Sequence, residues 1–119
     1  PIPVTMDFMA VSSYGNKTKS SGEVEIRKDL STSIEGKHVI VVEDIVDSGN
    51  TIVELKRILA EKGAADSRIC TLLLKPDSYK KDVKIDYAAM EIPNDFIVGF
   101  GLDYDELGRN FKDIYVLDE

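Results

Sequence analysis

Three carboxylates, Glu43, Asp44 and Asp47, are followed at once by Ser48, Gly49, Asn50 and Thr51 in the stretch HVIVVEDIVDSGNTIVELKRIL, residues 38–59. Ionised carboxylates only accept hydrogen bonds, so they suit hydroxyl donors or a hard metal ion. A hydroxyl-glycine turn leading into a helix offers the opposite: backbone N–H groups, hydroxyl donors and the positive end of the helix dipole, which together favour an anion. A ligand with vicinal hydroxyls at one end and a phosphate at the other satisfies both, and ribose 5-phosphate has that form. Singly, each residue also has a plainer reading. Asp47 or Ser48 would serve as the helix N-cap, and acids at a strand end are commonly just solvated. Five such residues within nine positions after a buried strand favour the site. The Gly-Lys-Ser/Thr loop of nucleotide triphosphatases and the dinucleotide GxGxxG fingerprint do not occur.

The elements that must position these residues follow from the apolar pattern. Val39-Ile40-Val41-Val42 is a continuous apolar run, expected as a strand buried on both faces with Glu43 and Asp44 at its carboxyl end. From Thr51 the spacing turns helical: Ile52, Leu55, Ile58 and Leu59 share a face and Gly63 closes the helix. RICTLLL (68–74) is a second buried strand ending at Lys75-Pro76. Strand, helix, strand with short connections predicts a parallel pair with a right-handed crossover. Residues 1–11 read as a strand with Val4, Met6 and Phe8 alternating, and 23–26 as its partner across the polar loop 12–22. That loop, with four serines, two glycines and two lysines, is expected to be a lid or plain disorder. Further extended pieces are expected at 85–91, 96–104 and 114–118. The fold class is α/β, one domain over 1–119, with a mostly parallel twisted sheet flanked by helices and a long hairpin loop.

Composition limits the partners. The 119 residues carry a formal charge of −7, which argues against a nucleic-acid or anionic-membrane surface. A lone cysteine, Cys70, forms no internal disulfide and suits a reducing, cytoplasmic compartment. A single histidine, His38, with no Cys/His cluster excludes a conventional zinc site. Cys70 and Met90 are expected in the core.

VVEDIVDSGNT resembles the phosphoribosyl-diphosphate (PRPP) motif of the type I phosphoribosyltransferases, and its Glu-Asp pair with an Asp three residues on resembles the 6-oxopurine (hypoxanthine-guanine phosphoribosyltransferase) branch. SSYGN resembles that family's flexible active-site loop, while LLLKP, EIPNDFIVGFGLDYDE and the following Arg109 resemble its purine-binding and C-terminal segments. The resemblance implies transfer of phosphoribosyl from PRPP to hypoxanthine or guanine, giving IMP or GMP and pyrophosphate in purine salvage, with Mg²⁺ as cofactor. By the same resemblance Glu43 and Asp44 bind the ribose, and Asp47 acts as acid or base near N7 of the purine. Asp47, Ser48, Gly49, Asn50 and Thr51 cradle the 5′-phosphate. Lys75, Phe96, Ile97 and Asp103 meet the purine: Lys75 donates to its 6-oxygen, Phe96 stacks and the Ile97 backbone meets its edge. Arg109 contacts pyrophosphate, Glu43, Asp44 and Asp103 hold Mg²⁺, and Ser13 and Tyr14 close over the site. A homodimer or tetramer is implied.

Members of the family carry a further N-terminal part with a Leu-Lys-Gly pyrophosphate loop, a tripeptide that does not occur here. The expectation is therefore a weakly active or inactive chain, completed by a separate N-terminal fragment, with apolar surface around 39–42 and 69–74 exposed. Two other functions compete. One is a non-catalytic PRPP- or nucleotide-binding regulatory domain, which has no need of Asp47 as a base. The other is a phosphorylated receiver, which does not follow its acids with a Ser-Gly-Asn-Thr anion turn.

Overall fold

The computed structural model describes residues 2–13 and 24–118. The expected loop 12–22, with Tyr14, lies almost wholly outside the described residues. The element order is β1 (Ala10–Ser13), β2 (Val24–Lys28), β3 (His38–Val46), α1 (Asn50–Glu61), β4 (Asp66–Leu74), β5 (Tyr87–Glu91), β6 (Ile97–Val98) and β7 (Tyr115–Val116).

The centre is a three-stranded parallel sheet in the order β3-β4-β5, and its first two strands are the parallel pair that the strand-helix-strand pattern predicts. Helix α1 joins the first two strands and buries the predicted stripe, Ile52, Leu55, Ile58 and Leu59. Its end is fixed by Gly63, whose φ of 87° lets its N–H reach the Ala60 carbonyl (3.0 Å) while the Ala64 N–H reaches Leu59 (3.2 Å). The starts of the two strands are tied by the Gly36 N–H to the Gly63 carbonyl and the Ala65 N–H to the Lys37 carbonyl, each 2.8 Å. Parallel partners share a face, so Val41, Glu43 and Ile45 lie beside Ile69, Thr71 and Leu73. Val46, Ile52, Leu55 and Ile69 form the core, with Val41, Leu74, Tyr79, Val83 and Ile85 packed around it.

Three expectations are corrected. First, β3 is not buried on both faces: Ile40 and Val42, on its far face, are 62% and 77% exposed. Helix α1, with Met9, Val11 and the loop after β4, packs on one face of the sheet, so exposure falls where it was expected for 39–42, whereas Ile69, Thr71 and Leu73 in β4 are buried. Second, residues 2–9 form no strand. Val4, Met6 and Phe8 do alternate, but among the described residues the ladder with β2 begins only at Ala10 opposite Lys28, and a strand without a partner has no pairing to hold it. Third, Met90 is 55% exposed on the outer strand β5, and the 96–104 piece shrinks to the two residues of β6 followed by tight turns. No helix among the described residues is long and apolar enough to cross a membrane.

The unequal faces make a direct prediction. Ile69→Ala, at a fully buried position, lowers stability by about 2–5 kcal/mol in urea unfolding. Val42→Ala on the open face changes it by no more than about 0.5 kcal/mol. Equal costs would mean that the far face is covered in solution.

Candidate active site

Strand β3 runs three residues past Glu43, to Val46. The acidic pair is therefore inside the strand, and period-2 alternation sends its members to opposite faces. Glu43 lies on the helix side and is half-buried, and burial, with the neighbouring Asp44 charge second, pushes its carboxyl above the ordinary glutamate range. Asp44 is exposed on the other face and accepts the Ile45 N–H at 2.7 Å.

Beyond Val46 the chain turns through Asp47 and Ser48 into α1. Gly49 is the N-cap with φ 87°, and no side chain caps the helix. Neither Asp47 nor Ser48 is therefore the N-cap. No acid occupies the first helical turn either. The result is an open cavity of about 190 Å³ lined by Glu43, Asp47, Ser48, Gly49, Asn50 and Thr51, together with Ile45, Val46 and Ile52. Asp44 is not part of that lining.

Lys75 follows directly on β4. Its backbone N–H donates to the Val46 carbonyl at 3.0 Å, which fixes it beside the turn. Its side chain is only 8% exposed, and its ammonium donates to Asp47 Oδ2 at 3.3 Å. A buried cation and a half-exposed carboxylate thus meet at the ends of adjacent strands, where parallel sheets bind ligands.

The segment expected to hold the purine is tied to the same end. The Ile92 N–H donates to the Leu74 carbonyl (2.8 Å) and Ser78 Oγ bonds Asn94 Oδ1 (2.6 Å). Phe96 is half-exposed and meets Tyr104 edge to face at 5.8 Å, and Ile97 is buried in β6. Asp103 accepts the Glu106 N–H (2.7 Å) and pairs with Arg109 (3.3 Å), whose guanidinium also donates to the Gly101 carbonyl (2.9 Å). None of these four residues lines the cavity beside the turn. Ser13 ends β1, its backbone opposite Val24. Among the described residues no group of three His, Cys, Asp or Glu side chains is close enough to hold a metal. Glu43, Asp44 and Asp103 are therefore not gathered into one cage: the first two diverge, and the third is engaged by Arg109.

Two neighbours of the turn were not singled out in the sequence, Tyr79 and Lys81. A Cβ at position 49 would stand 2.3 Å from Tyr79 Cε1 and 3.0 Å from Lys81 Cγ. No local signal marks either residue, since the contact spans a separation of thirty residues and is made by the loop after β4.

A parallel strand–helix–strand unit with an uncapped helix start, a flanking acid and a buried lysine at its carboxyl ends defines an α/β domain with an open, anion-favouring turn beside an acid–lysine pair. Residues 2–105 match the family model described as phosphoribosyl transferase domain, and the chain belongs to that family. It is 52% identical over 118 residues to the hypoxanthine-guanine phosphoribosyltransferase of Mycobacterium tuberculosis, covering 99% of this chain and 58% of that relative. Hypoxanthine phosphoribosyltransferase from Staphylococcus aureus superposes with a TM-score of 0.87 at 46% identity, over 94% of this chain and 61% of that one. The Trypanosoma cruzi hypoxanthine phosphoribosyltransferase, in complex with the product IMP, gives 0.87 at 42% identity, over 98% of this chain and 62% of that one. The chain thus spans about three-fifths of the length of these relatives.

Two outcomes follow. Gly49→Ala meets both the left-handed backbone and the Tyr79 ring, and costs about 1–3 kcal/mol in thermal or urea unfolding. Glu43 binds its proton more tightly folded than unfolded, so the folded state holds more protons between the two pKa values. Stability therefore falls as pH rises from the ordinary glutamate range through the raised value, and the penalty is fully present above it. Glu43→Gln flattens that slope and is the more stable form at neutral pH, as unfolding midpoints across pH will show.

Proposed function

We propose that this chain carries the nucleotide-binding part of a hypoxanthine-guanine phosphoribosyltransferase site, in a single domain that transfers phosphoribosyl from PRPP to a 6-oxopurine in purine salvage. The observation that carries the reading is the Lys75–Asp47 pair, 3.3 Å apart, beside the uncapped Gly49 turn. The turn takes the 5′-phosphate through the N–H groups of the first helical turn and the hydroxyls of Ser48 and Thr51. Glu43 meets the ribose from the cavity wall, and Asp44 joins it only from the opposite face. Lys75 presents ammonium donors to the purine 6-oxygen and repels a 6-amino group, a preference built from repulsion as much as attraction. Phe96 offers an aromatic face to the base and the Ile97 backbone its edge contacts.

In the transfer, a bond forms between a purine nitrogen and C1 of the ribose while the bond from C1 to pyrophosphate breaks. In the N7–H form of the purine, N9 is the attacking nitrogen and the proton lost is the one on N7, which Asp47, held by Lys75, would accept as base and return in the reverse reaction as acid. The carboxylates nearby favour the positive charge that develops at C1. A hard cation fits the oxygen donors present, since Mg²⁺ typically takes one or two carboxylates plus substrate phosphates. Glu43, Asp44 or Asp103 would supply the protein oxygens, and the ion would neutralise the departing pyrophosphate. Arg109 would reach pyrophosphate by exchanging its Asp103 partner. A closing role for Ser13 and Tyr14, a dimeric or tetrameric assembly and a cytoplasmic location belong to the same reading. A purely regulatory nucleotide binder would have no use for an acid facing the purine lysine.

Calorimetric titration with IMP and AMP in the presence of Mg²⁺ tests it. IMP is expected to bind more tightly than AMP, and Lys75→Met to weaken IMP by roughly 10- to 150-fold, the worth of a hydrogen bond to a charged group. A folded sample that binds neither nucleotide would sink the reading. Equal binding of both would keep the sugar-phosphate site and remove Lys75 as the selector.

A further inference from the structure

We propose that Tyr79 is a positioning residue: its ring braces the Gly49 turn while its backbone holds Lys75, so that it sets the spacing between the phosphate end and the purine end of the site. The proposal rests on the nucleotide-site reading above and adds a residue to it.

The contacts form a closed circuit. Tyr79 Cε1 and Cδ1 lie where a Cβ of residue 49 would be, 2.3 and 2.7 Å from it, so the flat ring is seated against the glycine backbone. One turn back, the N–H groups of Ser78 and Tyr79 both donate to the Lys75 carbonyl, at 3.1 Å each. Lys75 closes the circuit by its backbone bond to the Val46 carbonyl and its ammonium contact with Asp47. The ring itself is fixed at both ends. Its body packs on the core cluster of Val46, Ile52, Leu55 and Ile69, and its hydroxyl donates to the Val83 carbonyl. Burial, with Asp82 nearby, pushes the phenol above its ordinary range, so it remains a neutral donor. Tyr79 is not among the residues that line the cavity beside the turn, and its hydroxyl is turned to the Val83 carbonyl. It acts through the turn and Lys75.

The chemistry gives that spacing a purpose. A nucleotide is a rigid ruler: its phosphate and its 6-oxygen sit at separations set by ribose and purine. A turn held only at its two chain ends can drift relative to the strand that carries Lys75. An aromatic plate between them removes that freedom, and misplacement of the order of an ångström can cost a factor of about a hundred in a positioned reaction. Only glycine at 49 leaves room for the plate.

Tyr79→Phe, Tyr79→Ala and the parent chain are compared by two measurements. In amide hydrogen exchange without ligand, Tyr79→Ala is expected to exchange faster at 48–51 while the last helical turn, 58–61, stays as in the parent. Tyr79→Phe, which keeps the ring and loses only its bond to the Val83 carbonyl, should lie much closer to the parent than to Tyr79→Ala at 48–51 and match the parent at 58–61. In titrations, Tyr79→Ala should weaken IMP, which spans both ends, on the order of tenfold, and weaken ribose 5-phosphate, which needs the turn alone, distinctly less. Unchanged exchange at 48–51, or equal losses for the two ligands, overturns the proposal. If the parent binds neither ligand, the nucleotide reading fails, and exchange at 48–51 still decides whether Tyr79 holds the turn. Should Tyr79→Ala fail to fold, Tyr79→Leu keeps apolar volume in the core while losing the plate, and is held to the same two outcomes.

Discussion

The arrangement depends on a left-handed backbone at one residue, Gly49. Its φ of 87° reverses the chain between the end of β3 and the start of α1. A β-carbon there would be strained by the dihedral and obstructed by Tyr79 at once. Because the glycine itself takes the cap position, the helix starts without a side-chain cap, and its dipole faces the cavity rather than a serine or aspartate of its own. Asp47 is thereby free for Lys75. Helix placement, an open helix start and room for an acid–lysine pair all go with one residue that lacks a side chain.

Around that turn, the strand and its helix divide the work of charge. Glu43 is drawn into the cavity wall at an electrostatic cost visible in its raised pKa, whereas Asp44 remains in solvent on the opposite face. Two adjacent acids in a regular strand cannot both point at one ligand atom. Their pairing makes sense if a ligand or its metal wraps the strand edge, or if the two serve different ends of the same ligand. The Asp103–Arg109 pair is a second case of charge held in reserve, since both partners are already engaged with each other and with nearby backbone.

The centre of the fold was legible because it is local. The change from an apolar run to helical spacing at Thr51, and back to an apolar run at Arg68, fixes strand, helix and parallel strand with few alternatives, and Gly63 marks the helix end. The residues of the candidate turn could be picked out for the same reason: acids, hydroxyls and glycine are contiguous, and the structure puts them around one cavity. What the residues alone did not show depends on pairing at a distance. Residues 2–9 have a strand's alternation but no strand, because pairing belongs to the partner as much as to the sequence. Ile40 and Val42 look like core and are open, because whether a second face is covered is decided elsewhere in the molecule. Met90 fails for the same reason at the other edge of the sheet. Tyr79 shows the limit most clearly, since a tyrosine among lysines reads as surface until Gly49 is placed against it.

The position of β3 at the sheet margin bears on how this chain behaves in a test tube. Among the described residues only β4 pairs with it, so one side of a nine-residue strand offers unpaired amides and carbonyls, with Ile40 and Val42 standing beside them. Such a margin is a template for another strand, including the same margin of a second copy. What opposes that encounter is the formal charge of −7, a repulsion whose reach is about 10 Å at 0.1 M salt and shrinks as salt is added. Colloidal behaviour should therefore be governed by ionic strength: dilute buffers keep copies apart, and concentrated salt brings sticky margins within range of each other.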